Sequence, residues 1–464
     1  MEQLSRQARG KSNGGGGLPS DALRRRLTHI PAKQALLLRL PNDKLKAVTL
    51  HPGKLVSLGK FGSFRADDII GLPFGLTFEI GPGPVGALRV VVSSNLDELE
   101  ETSATNENID DGANAQALTY LDIQALKEAG MEGKDIVQKQ KEGSTSFAQR
   151  TAWSQQKYTL KKEAKHLRLF TPIPSTLTTL AKYNFEKDSE KVRGLRFDAL
   201  AHTLSFAGIA PGGRYLVVDG VGGLLAGAML ERMGGEGRLL ALNDADSPPA
   251  FDLLSHFNLP SQVVDPVLRS LHWASIDEGW SPAHGTPTTS STIPQTAMSE
   301  PITTPTGRPA TDRDRQRMRK RQAALNGLLK LRGDFLRGEW DALVICCGYE
   351  PTSIVERLLP KLAGSANIVI HSPFVQPLIE AHARLRLLPN LINVSVSEPW
   401  LRKYQVLPGR MHPEMMTSST GGAILHAVRV YTEDEAKDQR RSSLSNQETA
   451  AEDGRKRRRV DVIA

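Results

Sequence analysis

Residues 215 to 244 read YLVVDGVGGLLAGAMLERMGGEGRLLALND. An apolar run of strand length ends in an acid, a glycine turn follows, then an apolar helix, a second glycine turn and a second apolar run. Two buried strands joined by a helix must lie parallel, because only a crossover of that length returns the chain to the same end of a sheet. The alternation continues from about residue 180 to 432. Strands are expected at RYLVVD, RLLAL, around QVVDPVL, at DALVICC, NIVIHS and LINVSVSE, and last at GGAILHAVRVY. Helices are expected between them at RFDALAHTLSFAGI, GLLAGAMLERMG and PFVQPLIEAHARLRLL. The implied fold is α/β, a Rossmann-like doubly wound sheet. Its end on a glycine-led strand with no helix after it fits the seven-strand class I methyltransferase version, with the last strand antiparallel.

The rest of the 464 residues divides around that domain. Residues 1–28, rich in Gly, Arg and Ser, read as a disordered extension rather than a transit peptide. Residues 29–114 hold short apolar runs broken by glycine, the pattern of a small β-barrel, closed by an acidic loop. In LGKFGSF, Phe61 and Phe64 read as core. Residues 115–179 read as a helical linker. Residues 281–322 interrupt the α/β domain with a Ser/Thr/Pro-rich disordered stretch that runs into a basic helix, and 433–464 form a disordered tail ending RKRRRVDVIA. That basic pentamer resembles a nuclear localisation signal, so a nuclear location is expected. The only cysteines, Cys346 and Cys347, are adjacent and point to opposite faces of a strand. They make neither a disulfide nor a metal site, and a reducing compartment follows. No apolar run approaches a membrane span. The net charge of +8 favours a polyanionic partner, RNA or DNA.

The glycine turn decides what chemistry is open. A site for S-adenosylmethionine needs an acid at the end of the first strand and glycines where any Cβ would strike the cofactor. The turn reads Asp219, Gly220, Val221, Gly222, Gly223, Leu224, Leu225. Only Gly223 stands in the usual register, and Val221 and Leu225 put branched side chains where the adenosine and methionine moieties need room. The turn is expected to be kept and the pocket filled. The ribose-binding acid is ambiguous between Asn243 and Asp244. At the end of the fourth strand, Cys346, Cys347 and Gly348 replace the acid or amide that would orient a base and accept its proton, and Glu350 lies only in the following loop. The cysteines read as packing residues. No catalytic residue, bound cofactor or metal is therefore expected in this chain.

A second pattern is electrostatic. In SQQKYTLKKEAKHLRLF, helical spacing puts Lys157, Lys161, Lys165 and Arg168 on one face, with Tyr158 and Lys162 beside them. A charge run is usually a solvated face, but Glu163 is the only acid from Arg150 to Phe170. Phosphate contact and a solvated face both remain open on this pattern.

The phrases KYNFEKDSEKVRGLRFDALAHTL and VVDGVGGLLAGAMLERMGGEGRLL resemble the Gcd10p family, the non-catalytic subunits of the eukaryotic tRNA (adenine-N1) methyltransferase. So do VSLGKFGSFRADDIIGLPFGLTFEI, LTYLDIQALKEAGMEGKDIV and GRMHPEMMTSSTGGAILHAVRVY. The resemblance runs from about Ile30 to Tyr431 and leaves out the termini and the insertion. It implies a β-barrel joined to a methyltransferase-like domain, assembled with a catalytic paralogue as a dimer of heterodimers. The paralogue would bind S-adenosylmethionine, and this chain would help bind tRNA. It assigns RNA contact to Lys157, Lys161, Lys162 and Lys165. Arg193 and Arg196 would contact RNA, hold the partner or make a structural salt bridge, and His412 reads as an interface or capping residue. Two rivals remain: an active methyltransferase with a divergent pocket, and an RNA-binding scaffold associated with translation initiation.

Overall fold

The computed structural model describes residues 19–91, 116–129, 131–244, 249, 251–280, 312–407, 410–415, 418 and 420–437. Most of the expected N-terminal extension, the acidic loop, the Ser/Thr/Pro-rich stretch and nearly all of the basic tail lie outside these residues.

The first described element is a helix, α1 (Pro19–Thr28), inside the stretch expected to be disordered. Its anchor is Arg26, whose guanidinium donates to the Phe257 carbonyl at 2.9 Å and the Ser175 carbonyl at 3.3 Å. Such a helix is held by tertiary contact rather than by its own propensity, so local composition could not reveal it. There follow β1 (Ala35–Arg39), β2 (Leu45–Thr49), β3 (Leu55–Ser57), β4 (Ser63–Arg65), β5 (Thr77–Ile80) and β6 (Leu88–Val91). Next come α2 (Tyr120–Glu128), α3 (Gly133–Glu142), α4 (Ala152–His166) and β7 (Leu169–Ile173).

β7 comes from the segment expected to be linker, yet it pairs antiparallel with both β1 and β5. The resulting sheet has the order β2-β1-β7-β5-β6, and β3–β4 form a separate hairpin. The expected barrel is thus seen as an open sheet and a hairpin wrapped on one core. Phe64 stacks on Phe170 of β7 at 4.5 Å, and Phe61 and Phe64 are both buried, as expected.

The α/β unit begins with α5 (Leu177–Lys187), α6 (Phe197–Phe206), β8 (Arg214–Asp219), α7 (Leu224–Met233) and β9 (Arg238–Asn243). It continues with α8 (Ser261–Val267), β10 (Leu268–His272), α9 (Asp312–Arg337), β11 (Trp340–Cys346), α10 (Pro351–Leu358), β12 (Leu362–Ser372) and α11 (Val375–Leu385). β13 (Leu391–Ser397), the hairpin β14 (Tyr404–Leu407) and β15 (Arg410–Pro413), and β16 (Ala423–Arg429) complete it. The sheet order is β10-β9-β8-β11-β12-β16-β13, with β16 antiparallel to both neighbours. That is the seven-strand, Rossmann-like class I methyltransferase arrangement expected from the sequence. The expected third strand around QVVDPVL is instead α8, with Val263 and Val267 buried one helical turn apart. The strand itself lies one segment later.

Alternate residues of β8 feed the two faces of the sheet. Tyr215 and Val217 enter one core, and Leu216 and Val218 the other. Leu37 of β1 joins the first of these cores. The Asn258 side chain bonds both the N–H (3.1 Å) and the C=O (2.6 Å) of Ala35, so the β-unit is docked on the α/β unit.

Candidate functional site

The order of the sheet strands reverses beside β8, between β9 and β11, and in such sheets ligands bind in the crevice at the strands' carboxyl ends. A cleft of about 530 Å³ lies there, lined among others by Asp219, Gly222, Asp244, Phe251, Cys347 and Tyr349. Val221 and Leu225, expected to fill it, do not. Both are fully buried in the core beneath the turn. The turn's backbone directs them inward, so the cleft keeps its volume.

The changes lie in the polar groups. The Asp219 carboxylate accepts backbone N–H bonds from Val221 (2.8 Å), Gly223 (3.1 Å) and Ala226 (2.9 Å). Burial raises its pKa against the opposing pull of these bonds. The acid therefore ties the turn to the first turn of α7. Leu253 donates its N–H to the Gly222 carbonyl at 3.0 Å, drawing the segment after β9 across the turn. Gly223 sits at φ +87°, and a Cβ there would lie 2.6 Å from that of Phe251. Asp244 accepts the Tyr349 hydroxyl, which joins the loops after β9 and β11 at the mouth and holds the Asp244 carboxyl below its usual range.

At the end of β11, Cys346 is buried with its Sγ 3.5 Å from His371 Nδ1. Burial pushes the thiol well up and the imidazole down to about 4, so both are neutral packing groups. Cys347 is half-buried and packs towards the opposite face, as alternation requires. Glu350 accepts N–H bonds from Thr352 and Ser353 and caps α10. Among the described residues, no group of three His, Cys, Asp or Glu is placed to hold a metal. No helix is long and apolar enough to cross a membrane among them.

The basic residues separate into three kinds. Lys157, Lys161 and Lys165 are exposed along α4. Lys162 lies over the Tyr158 ring at 5.0 Å, and burial followed by the charges of Lys165, Lys161 and Arg150 lowers its pKa. Tyr158 is turned inward, its hydroxyl donating to Gln116 at 2.8 Å, so it supports the helix rather than facing a ligand. Arg168 departs from the expected stripe. The helix ends at His166, and Arg168 lines a cavity with Glu79, Arg89 and Glu132 beside the β-sheet. Arg193 lies in the α/β cleft with its guanidinium beside Gly348. Arg196 is 4% exposed and cannot face RNA. It grips Asp198 with two bonds of 2.6 and 2.9 Å and donates to the Ser418 and Pro399 carbonyls, so of the three expected roles it takes the structural one.

A third feature carried no sequence signal. Phe374, Ile379, Trp400, Tyr404, Val406 and Met411 are all at least half exposed, at the start of and along α11, in the loop after β13 and on the β14–β15 hairpin. Large apolar side chains left exposed in this number mark candidate interaction positions. His412 lies on β15 beside Met411, exposed.

With this geometry in hand, the chain matches the Gcd10p family over residues 29–306. The chain belongs to the Gcd10p family. It is similar to the tRNA (adenine(58)-N(1))-methyltransferase non-catalytic subunit of Debaryomyces hansenii, 31% identical over 430 residues covering 87% of each chain. The subunits of the same name from Schizosaccharomyces pombe and Mus musculus are 28% and 29% identical. These cover 88% and 84% of this chain, and 94% and 86% of their own lengths. Like them, this Gcd10p-family member is a non-catalytic subunit. Among solved structures, the tRNA (m1A58) methyltransferase of Aquifex aeolicus aligns at 12% identity and a TM-score of 0.43. That alignment covers 87% of this chain and all of the other. The strand order, not that likeness, carries the fold.

Proposed function

We propose that this Gcd10p-family chain is the tRNA-binding subunit of a tRNA N1-methyladenosine methyltransferase, supporting methyl transfer to the T-loop adenosine by a catalytic paralogue. In this reading the two chains form a dimer of heterodimers in the nucleus. The catalytic partner binds S-adenosylmethionine, and this chain binds none. The observation that carries the reading is the state of the two cleft acids. Asp219 is engaged by three backbone N–H groups and Asp244 by Tyr349, while Phe251 covers Gly223. No carboxylate ends β11 to accept a proton from a base. In this reading the residues present do not fit the cofactor.

RNA binding rests on the exposed lysines of α4, the helix that leads into β7 of the β-unit. Assembly rests on the exposed apolar residues, Trp400 and Val406 among them. The deciding experiment is methyl transfer from labelled S-adenosylmethionine to unmodified tRNA by this chain alone, its paralogue alone, and both together. Activity only in the mixture supports the reading. Activity from this chain alone overturns it. The open volume of the cleft favours one rival, an active enzyme with a divergent pocket. Calorimetric binding of S-adenosylmethionine to the isolated chain would favour that rival.

A further inference from the structure

At the opposite rim of the large sheet from the cleft, a groove of about 580 Å³ runs between α9 and the first residues of β9 and β10. Four cations line it, Arg238, Arg269, Lys330 and Arg337, against one acid, Asp334. That acid is already shared: it lies 3.2 Å from Arg214, 3.5 Å from Arg238 and 3.9 Å from Arg337. Arg269 and Lys330 are in no ion pair among the described residues; one nitrogen of the Arg269 guanidinium donates to the Asp265 and Leu268 carbonyls. The wall faces open space at Gly327, where a Cβ would meet nothing within 4 Å.

The positive charge continues beyond the groove. Arg315, Arg319, Lys330 and Arg337 are spaced by 4, 11 and 7 residues. At about 100° per residue they fall within roughly 60° of one another on the helix. From first to last they span about 33 Å at 1.5 Å per residue. The exposed half of α9 adds Arg313, Arg317, Lys320 and Arg321.

We infer that this groove and the stripe of α9 form a second contact for the sugar–phosphate backbone of RNA, separate from the lysines of α4. The inference rests on the tRNA-binding reading and adds a surface to it. Guanidiniums in excess of their carboxylates match phosphate oxygens through paired N–H donors. A linear row of one sign matches a linear polyanion. An acidic protein segment would need apolar anchors, and the groove offers only Leu328 and Leu331, which pack on the core beneath. The groove is a surface apart from the cleft, because a six-residue strand, about 20 Å, separates the two rims.

The test uses the complex of this chain with its catalytic partner and measures tRNA affinity across a salt series. Two double variants, Arg269→Ala with Lys330→Ala and Arg315→Ala with Arg319→Ala, leave the Asp334 cluster intact, and an unchanged Tm reports the fold. Each is expected to weaken tRNA binding about three- to tenfold near physiological salt and to lower the log–log salt slope by about one to two units. A Lys157, Lys161 and Lys165 triple variant is measured in parallel. If that triple weakens binding and the α9 variants leave affinity and slope unchanged, the groove is overturned and the tRNA-binding reading stands. If none of the variants alters binding, the reading itself falls. Competition by polyglutamate with an unchanged tRNA slope would assign the groove to an acidic peptide and overturn the proposal.

Discussion

Arg26 of α1 forms a 3.0 Å ion pair with Glu231 of α7, the helix that begins at the glycine turn, and both side chains are largely buried. Removing one partner of such a pair leaves an uncompensated charge. Arg26→Ala is expected to destabilise the chain by about 3 kcal/mol. Replacing both, Arg26→Met with Glu231→Leu, should cost less. Denaturant midpoints at constant m would check this, and additive losses would refute the coupling.

Arg196 and Asp198 predict a pH dependence. Burial acts against the Asp198 carboxylate, but the bonds and charge of Arg196 outweigh it and hold the carboxyl below its ordinary value of 3.8. A depressed carboxyl contributes stability that is present above the unfolded pKa and is lost as pH falls through the folded one. The wild type should therefore exceed Asp198→Asn by about 2 kcal/mol at neutral pH, a gap that narrows only below about pH 4. Thermal unfolding of both proteins from pH 7 to 3 reads it. A gap that grows on acidification would contradict the assignment.

Val221→Gly with Leu225→Gly is expected to lose stability, by about 3 kcal/mol or more, and to gain no S-adenosylmethionine binding. Both side chains belong to the core and neither projects into the cleft. Calorimetric cofactor binding by a folded double variant would be the contrary result.

The exposed lysines of α4 should act through phosphate charge. Lys157→Ala, Lys161→Ala and Lys165→Ala together are expected to weaken tRNA binding by the complex at least tenfold and to lower its salt slope by about two to three units. Lys162 and Tyr158 support one another at 5.0 Å, so Tyr158→Phe, which removes the hydroxyl's bonds to Gln116 and the Gln140 carbonyl and keeps the ring, should shift Tm more than affinity.

The exposed apolar residues should report on assembly. Trp400→Ser, Val406→Ser and Met411→Ser are all exposed changes, so the isolated chain should keep its Tm. Co-purification with the catalytic paralogue should fall sharply, because large apolar side chains at an interface carry most of its energy. Undiminished complex by light scattering would place the interface elsewhere.

The sequence by itself determined the α/β unit, because parallel strands buried on both faces are continuous apolar runs and glycine turns punctuate them. The seven-strand order and the antiparallel β16 followed from that alternation. It also determined the lysine face of α4, since helical spacing is a local property. The tertiary structure alone decided which side the branched residues of the turn take. Val221 and Leu225 are core because the turn aims them inward, and only the bonds of Asp219, Asp244 and Phe251 reveal what became of the cleft. It decided that β7 completes the N-terminal sheet from 78 residues beyond β6, counting Val91 to Leu169, a pairing with no local sign. It decided too that Arg196 is a buried strut, Lys161 is exposed and Arg26 anchors a helix. A basic residue carries the same charge in every setting. Its role depends on the carboxylates and carbonyls that the fold brings within reach, and those lie up to 231 positions away in the chain.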